Sequence, residues 1–233
     1  QLGNTLTTPH HLGMKFDAIV SNPPYSKSWE GKNNTILIND VRYSPAGVLA
    51  PIQRSDLAFT MHMLYHLSDT VTCAIVEFPG VLYRGGAEKK IREYLIKNNF
   101  VDTVIQLPAN LFFGVGIATC IIVIKKNKKD NNILFVDASE EFVKKGDKNK
   151  LEDENQNRIV NAYQQRKEEQ YFTKLVSNDE VLANGANLSV SSYVEKEDKR
   201  EVIDIVKLNE EIKTLQSEIF TLNTEIANKI ASL

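Results

Sequence analysis

The chain has 233 residues, 42% of them hydrophobic and 25% charged, with a formal net charge of −2 at pH 7. That is enough apolar material for one or two globular domains, and it excludes a protein that grips nucleic acid through a global basic field of its own. No apolar run approaches the ~20 residues of a membrane span, and no signal-peptide pattern is seen. The two cysteines, Cys73 and Cys120, sit inside apolar runs and read as reduced core residues of a cytoplasmic protein, not as a disulfide or metal pair. The sequence opens on Gln1 within what reads as a loop, so a portion of a longer protein is expected.

Residues 1–15 are polar and loop-like, and Gly3-Asn4-Thr5-Leu6 includes an ordinary Gly-Asn turn signal. His10 and His11 have no further ligand at metal spacing and read as loop polars. Residues 16–21 (FDAIVS) form an apolar strand that stops on Asn22-Pro23-Pro24-Tyr25. A long irregular stretch follows to about residue 53, a length that marks function or mobility. Its Lys27, Lys32 and Arg42 read as surface charge before phosphate contacts. Trp29, the only tryptophan, is expected to pack the loop down. Residues 56–67 form a helix with Ser55 as N-cap, Asp56 in the first turn and an apolar stripe of Leu57, Met61, Leu64 and Tyr65. His62 and His66 lie four apart on it without a third ligand, which favours packing or solvent over zinc.

Residues 71–78 are a second strand, 87–98 a helix with Ile91, Tyr94 and Leu95 on one face, 100–107 a third strand and 116–124 a fourth. No helix separates the last two, so they read as an antiparallel pair at the sheet edge. Helices join the earlier strands as in a parallel sheet, and the strands are near-continuously apolar, as burial on both faces requires. The fold class is α/β. The basic turn 125–129 can meet phosphate but reads as solvated. Residues 133–136 are a short strand, 140–157 charged and loose, 155–170 a helix, and 173–194 a turn-rich module with a brief helix capped by Ser177 or Asn178. From Val202 the pattern changes: Ile205, Leu208, Ile212, Leu215, Ile219, Leu222 and Ile226 are spaced 3 and 4 alternately. That heptad seam predicts a coiled coil or a helix docking on a partner, against the alternative of a helix packed on its own domain. The expected divisions are 1–139, 140–200 and 201–233.

The corner at 22–25 carries the chemistry. Pro24 fixes its own φ, Pro23 biases Asn22 away from helix, and neither proline has an N–H. A rigid corner at the C-terminal end of a strand is where open α/β sheets place ligands. An exocyclic amine such as adenine N6 is a poor nucleophile because its lone pair is delocalised into the ring. An enzyme that alkylates it must hold the NH₂ with acceptors, and Asn22 offers a side-chain carbonyl and Pro23 a backbone carbonyl. Tyr25 offers a flat face for a base, worth about 1–3 kcal/mol. A plain strand-ending turn is the competing reading.

These residues resemble those of the modification (methyltransferase) subunit of type I restriction-modification systems, which methylate adenine at N6 with S-adenosylmethionine. The stretches that carry the resemblance are Gly3-Asn4-Thr5-Leu6, FDAIVSNPPYS at 16–26, SDLAF at 55–59, FPGVLYRGGAEKKIR at 78–92, VIQLPANLFFGVGIAT at 104–119, ILFVDAS at 133–139 and NLSVSSYV at 187–194. The resemblance implies the C-terminal half of a Rossmann-like methyltransferase sheet followed by a helical tail. It implies that Asn22 and Pro23, with Pro24, hold the target amine, that Tyr25 stacks on a flipped adenine of DNA, and that Asn4 and Asn22 lie at the cofactor. It implies partners too: a specificity subunit docked through the C-terminal helix, which would choose the sequence, and a restriction subunit in a larger complex. No metal is implied. The family's glycine-rich cofactor loop and the acidic residue after its second strand have no counterpart here, and Gly114-Val115-Gly116 lacks the usual threonine. The first strand is therefore expected to expose an unpaired edge, and this chain alone is expected to be inactive. Two readings compete with a methyltransferase subunit: a catalytically inert interaction module folded on a partner, and an enzyme acting on RNA or protein glutamine.

Overall fold

Runs rich in Ile and Val build one mixed sheet. The computed structural model describes residues 2–112, 114, 116–198 and 204–232. Its strands are β1 (Phe16–Ser21), β2 (Leu67–Glu77), β3 (Val101–Gln106), β4 (Cys120–Lys125), β5 (Asn132–Asp137) and β8 (Thr173–Ser177), in the order β1-β2-β4-β3-β5-β8. A separate hairpin joins β6 (Val143–Lys145) to β7 (Lys148–Lys150). The helices of this part are α1 (Asp56–His66), α2 (Ala87–Lys97), α3 (Asp153–Gln165) and α4 (Asn178–Ala183).

Direction follows from the connections. Helix α1 lies between β1 and β2, which pair in parallel; β3 also pairs in parallel with β5. β3 passes to β4 without a helix, and the two are antiparallel, as expected. The pair's position corrects the expectation. β4 inserts between β2 and β3, antiparallel to both, so the pair lies inside the sheet and the edges are β1 and β8. As a result β1, β2, β3 and β5 all run one way, and Ser21, Glu77, Gln106 and Asp137 finish at one end of the sheet.

The core forms on both faces. Leu57, Met61 and Leu64 of α1 and Ile91 and Leu95 of α2 are buried with Cys73, Ile75, Ile122 and Ile124 of the sheet. A second cluster sets Ile159 and Phe172 against Leu134 and Val136. Cys73 and Cys120 are both buried and free, and burial pushes the Cys73 thiol up to about 12. β1 is the exception to the buried pattern expected of parallel strands. Its outer edge has no partner strand among the described residues, Phe16 is 38% exposed and Val20 is 85% exposed.

Several other expectations shift. The stretch 140–157 is ordered as the β6–β7 hairpin, whose tight turn holds Gly146 at φ 61°, a conformation that favours glycine, and as the start of α3. Helix α3 stops at Arg166, which adopts a left-handed C-cap, and not at 170. The turn-rich module contributes strand β8 before its brief helix, and Ser177 caps that helix by accepting the N–H of Glu180 at 3.2 Å. Arg42 is no surface charge. It is 1% exposed and donates to the carbonyls of Thr5 (2.8 Å) and Leu6 (2.8 Å) and to the Asp40 carboxylate (2.7 Å).

Residues 197–233 form a second unit by contact, and within it Ile205–Ala231 is one helix, α5. Asp204 caps it by accepting the N–H groups of Val206 (3.0 Å) and Lys207 (3.1 Å). All seven predicted seam positions, Ile205 to Ile226, are helical and exposed. Val202, where the pattern was expected to begin, and Phe113 and Val115 of the 109–115 loop lie outside the described residues. No described helix is long and apolar enough to cross a membrane.

Candidate active site

The corner sits where β1 ends. Pro23 is buried, Asn22 is exposed and Tyr25 is half-buried. The Tyr25 hydroxyl donates to Asn22 Oδ1 at 2.7 Å, so the two side chains foreseen as acceptor and stacking face do meet. Burial, with Glu77 and Cys120 nearby, pushes the Tyr25 phenol up to about 12. The hydroxyl therefore stays protonated at neutral pH and acts as a donor.

The corner is clasped from behind. Ser26, at φ 49°, donates its N–H to Asp56 Oδ1 at 2.8 Å. Ser55 N–H donates to the Lys27 carbonyl at 3.0 Å, and Trp29 N–H to the Ile52 carbonyl at 2.8 Å. Trp29 Nε1 donates to the Pro51 carbonyl at 3.0 Å and its ring meets Tyr43 edge-on at 5.4 Å, so it packs the loop as expected. Gly31 permits this packing, since at φ +50° an added Cβ would stand 3.1 Å from Ile52. Asp56 was foreseen only as a helix-dipole residue. Its carboxylate is buried and turned to the corner instead, a role with no local sequence signal because its partner is 30 residues away. Ser55 occupies the N-cap position, but its hydroxyl makes no cap bond.

Beside Asp56 stands Glu77, the last residue of β2, fully buried. Burial raises its carboxyl to about 8, against the hydrogen bond from Thr60 Oγ1 at 2.9 Å and with Asp56 adding to the rise. At neutral pH it is mainly protonated. Neither Glu77 Oε2 nor Asp56 Oδ2 has a hydrogen-bond partner among the described residues. Sequence reading missed Glu77, and its one signal was a charged residue closing an otherwise apolar strand.

A cleft of about 500 Å³ runs along β1 and is lined by Gly3, Thr5, Ser21, Phe59, His62 and His66 among others. Residues on either side of Asn4 thus face the same cavity as the residue before Asn22. The Asn4 carboxamide oxygen accepts the Leu6 N–H at 3.0 Å, and the loop is held by Arg42. Arg42 Nη1 also lies 2.9 Å from His62 Nδ1, where the guanidinium must donate and the ring must accept. Burial, with His66 and Arg42 adding, pushes His62 down to about 4, so the ring is neutral. His66 Nδ1 meets the Met14 carbonyl at 2.9 Å. Both rings are thus held by hydrogen bonds at the wall of the cleft, and no group of three or more His, Cys, Asp or Glu able to hold a metal occurs among the described residues.

The basic turn 125–129 lies at the opposite sheet end. Lys128 Nζ donates to the carbonyls of Val101 (2.8 Å) and Asn132 (2.7 Å), closing strand ends there, and Lys126 Nζ donates to the Leu67 carbonyl.

A mixed sheet packed against helices, its first strand closed by a proline-stiffened corner, defines an α/β domain. The chain belongs to the N-6 DNA methylase family, whose model matches residues 1–202. It is 45% identical over 219 residues to the type I restriction enzyme MpnII methylase subunit of Mycoplasma pneumoniae, covering 94% of this chain and 40% of that protein. It is 34% identical over 227 residues to the MjaVII methylase subunit of Methanocaldococcus jannaschii, covering 92% of this chain and 39% of that one. Among solved structures, the type I restriction-modification system methyltransferase subunit of Streptococcus thermophilus matches 82% of this chain and 41% of its own, with a TM-score of 0.79 at 40% identity. The chain thus spans about two-fifths of the length of these relatives.

Proposed function

We infer that this chain supplies the target-amine side of a type I restriction-modification methyltransferase that transfers a methyl group from S-adenosylmethionine to adenine N6 in DNA. The observation that carries the reading is the corner itself: an exposed Asn22 carboxamide and a Tyr25 ring meeting at the end of β1 on a buried Pro23. Asn22 Oδ1 and the Pro23 carbonyl accept the two N–H bonds of the amine and fix it for in-line attack, where positioning does most of the work. Tyr25 stacks on the flipped base. Entry of the amine exchanges the Tyr25–Asn22 hydrogen bond for one from substrate, a near-neutral trade of one bond for another. Asp56 keeps the corner in register through Ser26.

S-adenosylmethionine supplies the methyl group when bound, with Asn4 as the residue of this chain assigned to hold it; Asn22 lies at the cofactor but spends its carboxamide on the amine. The cleft beside β1 has no carboxylate among its lining residues to receive ribose hydroxyls or an ammonium, so the residues present fit only part of the donor. No step is assigned through it. The division of labour that suits the family is 1–139 for catalysis, 140–200 as an extension and 201–233 for docking on a specificity subunit, with a restriction subunit joining the larger assembly. The cytoplasm is where such DNA chemistry takes place.

A second reading, an interaction module without chemistry, draws on the open β1 edge and the exposed seam of α5. The test is methyl transfer by the gene product that carries this chain, assembled with its specificity subunit, from labelled S-adenosylmethionine to an adenine-containing duplex. Label recovered as N6-methyladenine is the expected result. No label in DNA, or label in RNA or glutamine instead, overturns the reading.

A further inference from the structure

The β6–β7 hairpin is built against its own electrostatics. Its two strands place Lys145 directly opposite Lys148, and Val143 opposite Lys150. Side chains alternate along a strand, so Lys145, Lys148 and Lys150 share one face, with Lys144 on the other. Like charges directly opposite destabilise a ladder, and a lone two-stranded hairpin is marginal to begin with. The counter-charge comes from flanking carboxylates, Glu140, Glu141, Asp147, Glu152, Asp153 and Glu154. Glu152 is shared by Lys145 (3.8 Å) and Lys150 (4.0 Å), both long and exposed contacts. Asp147 is exposed in the turn, and the neighbouring Glu141 is taken by Arg158 at 2.7 Å.

The hairpin has a fixed place. Asn149 N–H donates to the Asn110 carbonyl (3.2 Å), its side-chain amide to the Ala109 carbonyl (2.9 Å), and Lys148 Nζ to the Phe112 carbonyl (3.2 Å). These carbonyls belong to the loop that leaves β3 at the sheet end where β1 delivers Asn22. The other lysine-rich turn, 125–129, is at the far end. β3 and β5 are three and four strand steps from β1, which at about 4.8 Å per step is roughly 14–19 Å, or about four to six base pairs at 3.4 Å each. A duplex presenting a flipped base to the corner would pass this hairpin.

We propose that the Val143–Lys150 hairpin is a phosphate-backbone clamp for the DNA duplex, with Lys145 and Lys150 contacting phosphates and Lys148 tethering the hairpin to the 109–112 loop. The proposal rests on the reading that DNA is the substrate. It gives a chain of net charge −2 a local grip without a global basic field: Lys145 and Lys150 share one exposed face of the hairpin. Contacts of this kind position the duplex and carry no sequence choice.

The test is the salt dependence of affinity for a non-cognate duplex, measured by fluorescence anisotropy between 50 and 200 mM KCl. It uses the gene product carrying this chain in its assembled complex. Each lost phosphate contact removes about 0.9 from the slope of log K against log salt. The double variant Lys145→Ala, Lys150→Ala is expected to flatten the slope by about 2. The corresponding double Lys→Arg variant keeps it, which separates charge from folding, and Lys129→Ala at the opposite sheet end leaves it unchanged. A double alanine variant with the parent slope overturns the clamp while leaving the methyltransferase reading intact. A parent complex with no affinity for duplex at any of these salts overturns both.

Discussion

At the residue scale, the geometry of the corner was legible because it is local. Asn22, the two prolines and Tyr25 are consecutive, and each brings its property with it. The residues behind the corner were not legible, because they act through space. Asp56 holds Ser26 from 30 positions away, and Arg42, which looks like loop charge in the sequence, is a buried clamp on the carbonyls of Thr5 and Leu6. Glu77 leads to a pH prediction. In the unfolded chain its carboxyl titrates near 4.5, and in the fold burial moves it to about 8. Between those values the folded state binds the extra proton, so stability falls as pH rises through the window. The cost is absent below about 4.5 and fully present above about 8. Glu77→Gln keeps an acceptor for Thr60 and replaces the acid O–H with an amide N–H. Its melting temperature is expected to exceed that of the parent at pH 8 by several degrees, on the order of a few kcal/mol, and to converge with it near pH 5. Parallel melting profiles across that range would contradict the assignment.

At the element scale, strand and helix identities followed from periodicity, and strand order did not. The absence of a helix between β3 and β4 announces an antiparallel pair, but nothing local says that β4 returns between β2 and β3. The hairpin at 143–150 was missed because its lysines mask the period-2 pattern that a half-buried strand would show, and its order comes from bonds to the distant 109–112 loop. Helix α5 was plain from its heptads. Its seam is exposed along its length, and exposed apolar seams of this kind belong in an interface. Leu215→Asp is expected to abolish co-elution with the specificity subunit on size exclusion while leaving the melting of residues 1–196 unchanged. Undiminished co-elution would remove α5 from that contact.

At the scale of the whole molecule, the sheet carries the Asn22–Tyr25 corner at one end, and the outer edge of β1 has no partner strand among the described residues, with Val20 at 85% exposure. An edge of this kind is a liability unless something pairs or covers it. The chain belongs to the N-6 DNA methylase family and spans about two-fifths of its relatives, and the proposed function gives it the amine-holding side of a larger site. That partition makes a sharp claim: Asn22 serves the acceptor, and its loss spares the donor. The direct measurement uses Asn22→Ala in the gene product that carries this chain, assembled with its specificity subunit. Methyl transfer to an adenine-containing duplex and the equilibrium affinity for S-adenosylmethionine are followed in parallel. Loss of transfer by at least about 100-fold, equivalent to about 2.7 kcal/mol of transition-state stabilisation, with unchanged cofactor affinity, is the result expected. Turnover equal to the parent, or cofactor affinity lost together with transfer, would contradict the account.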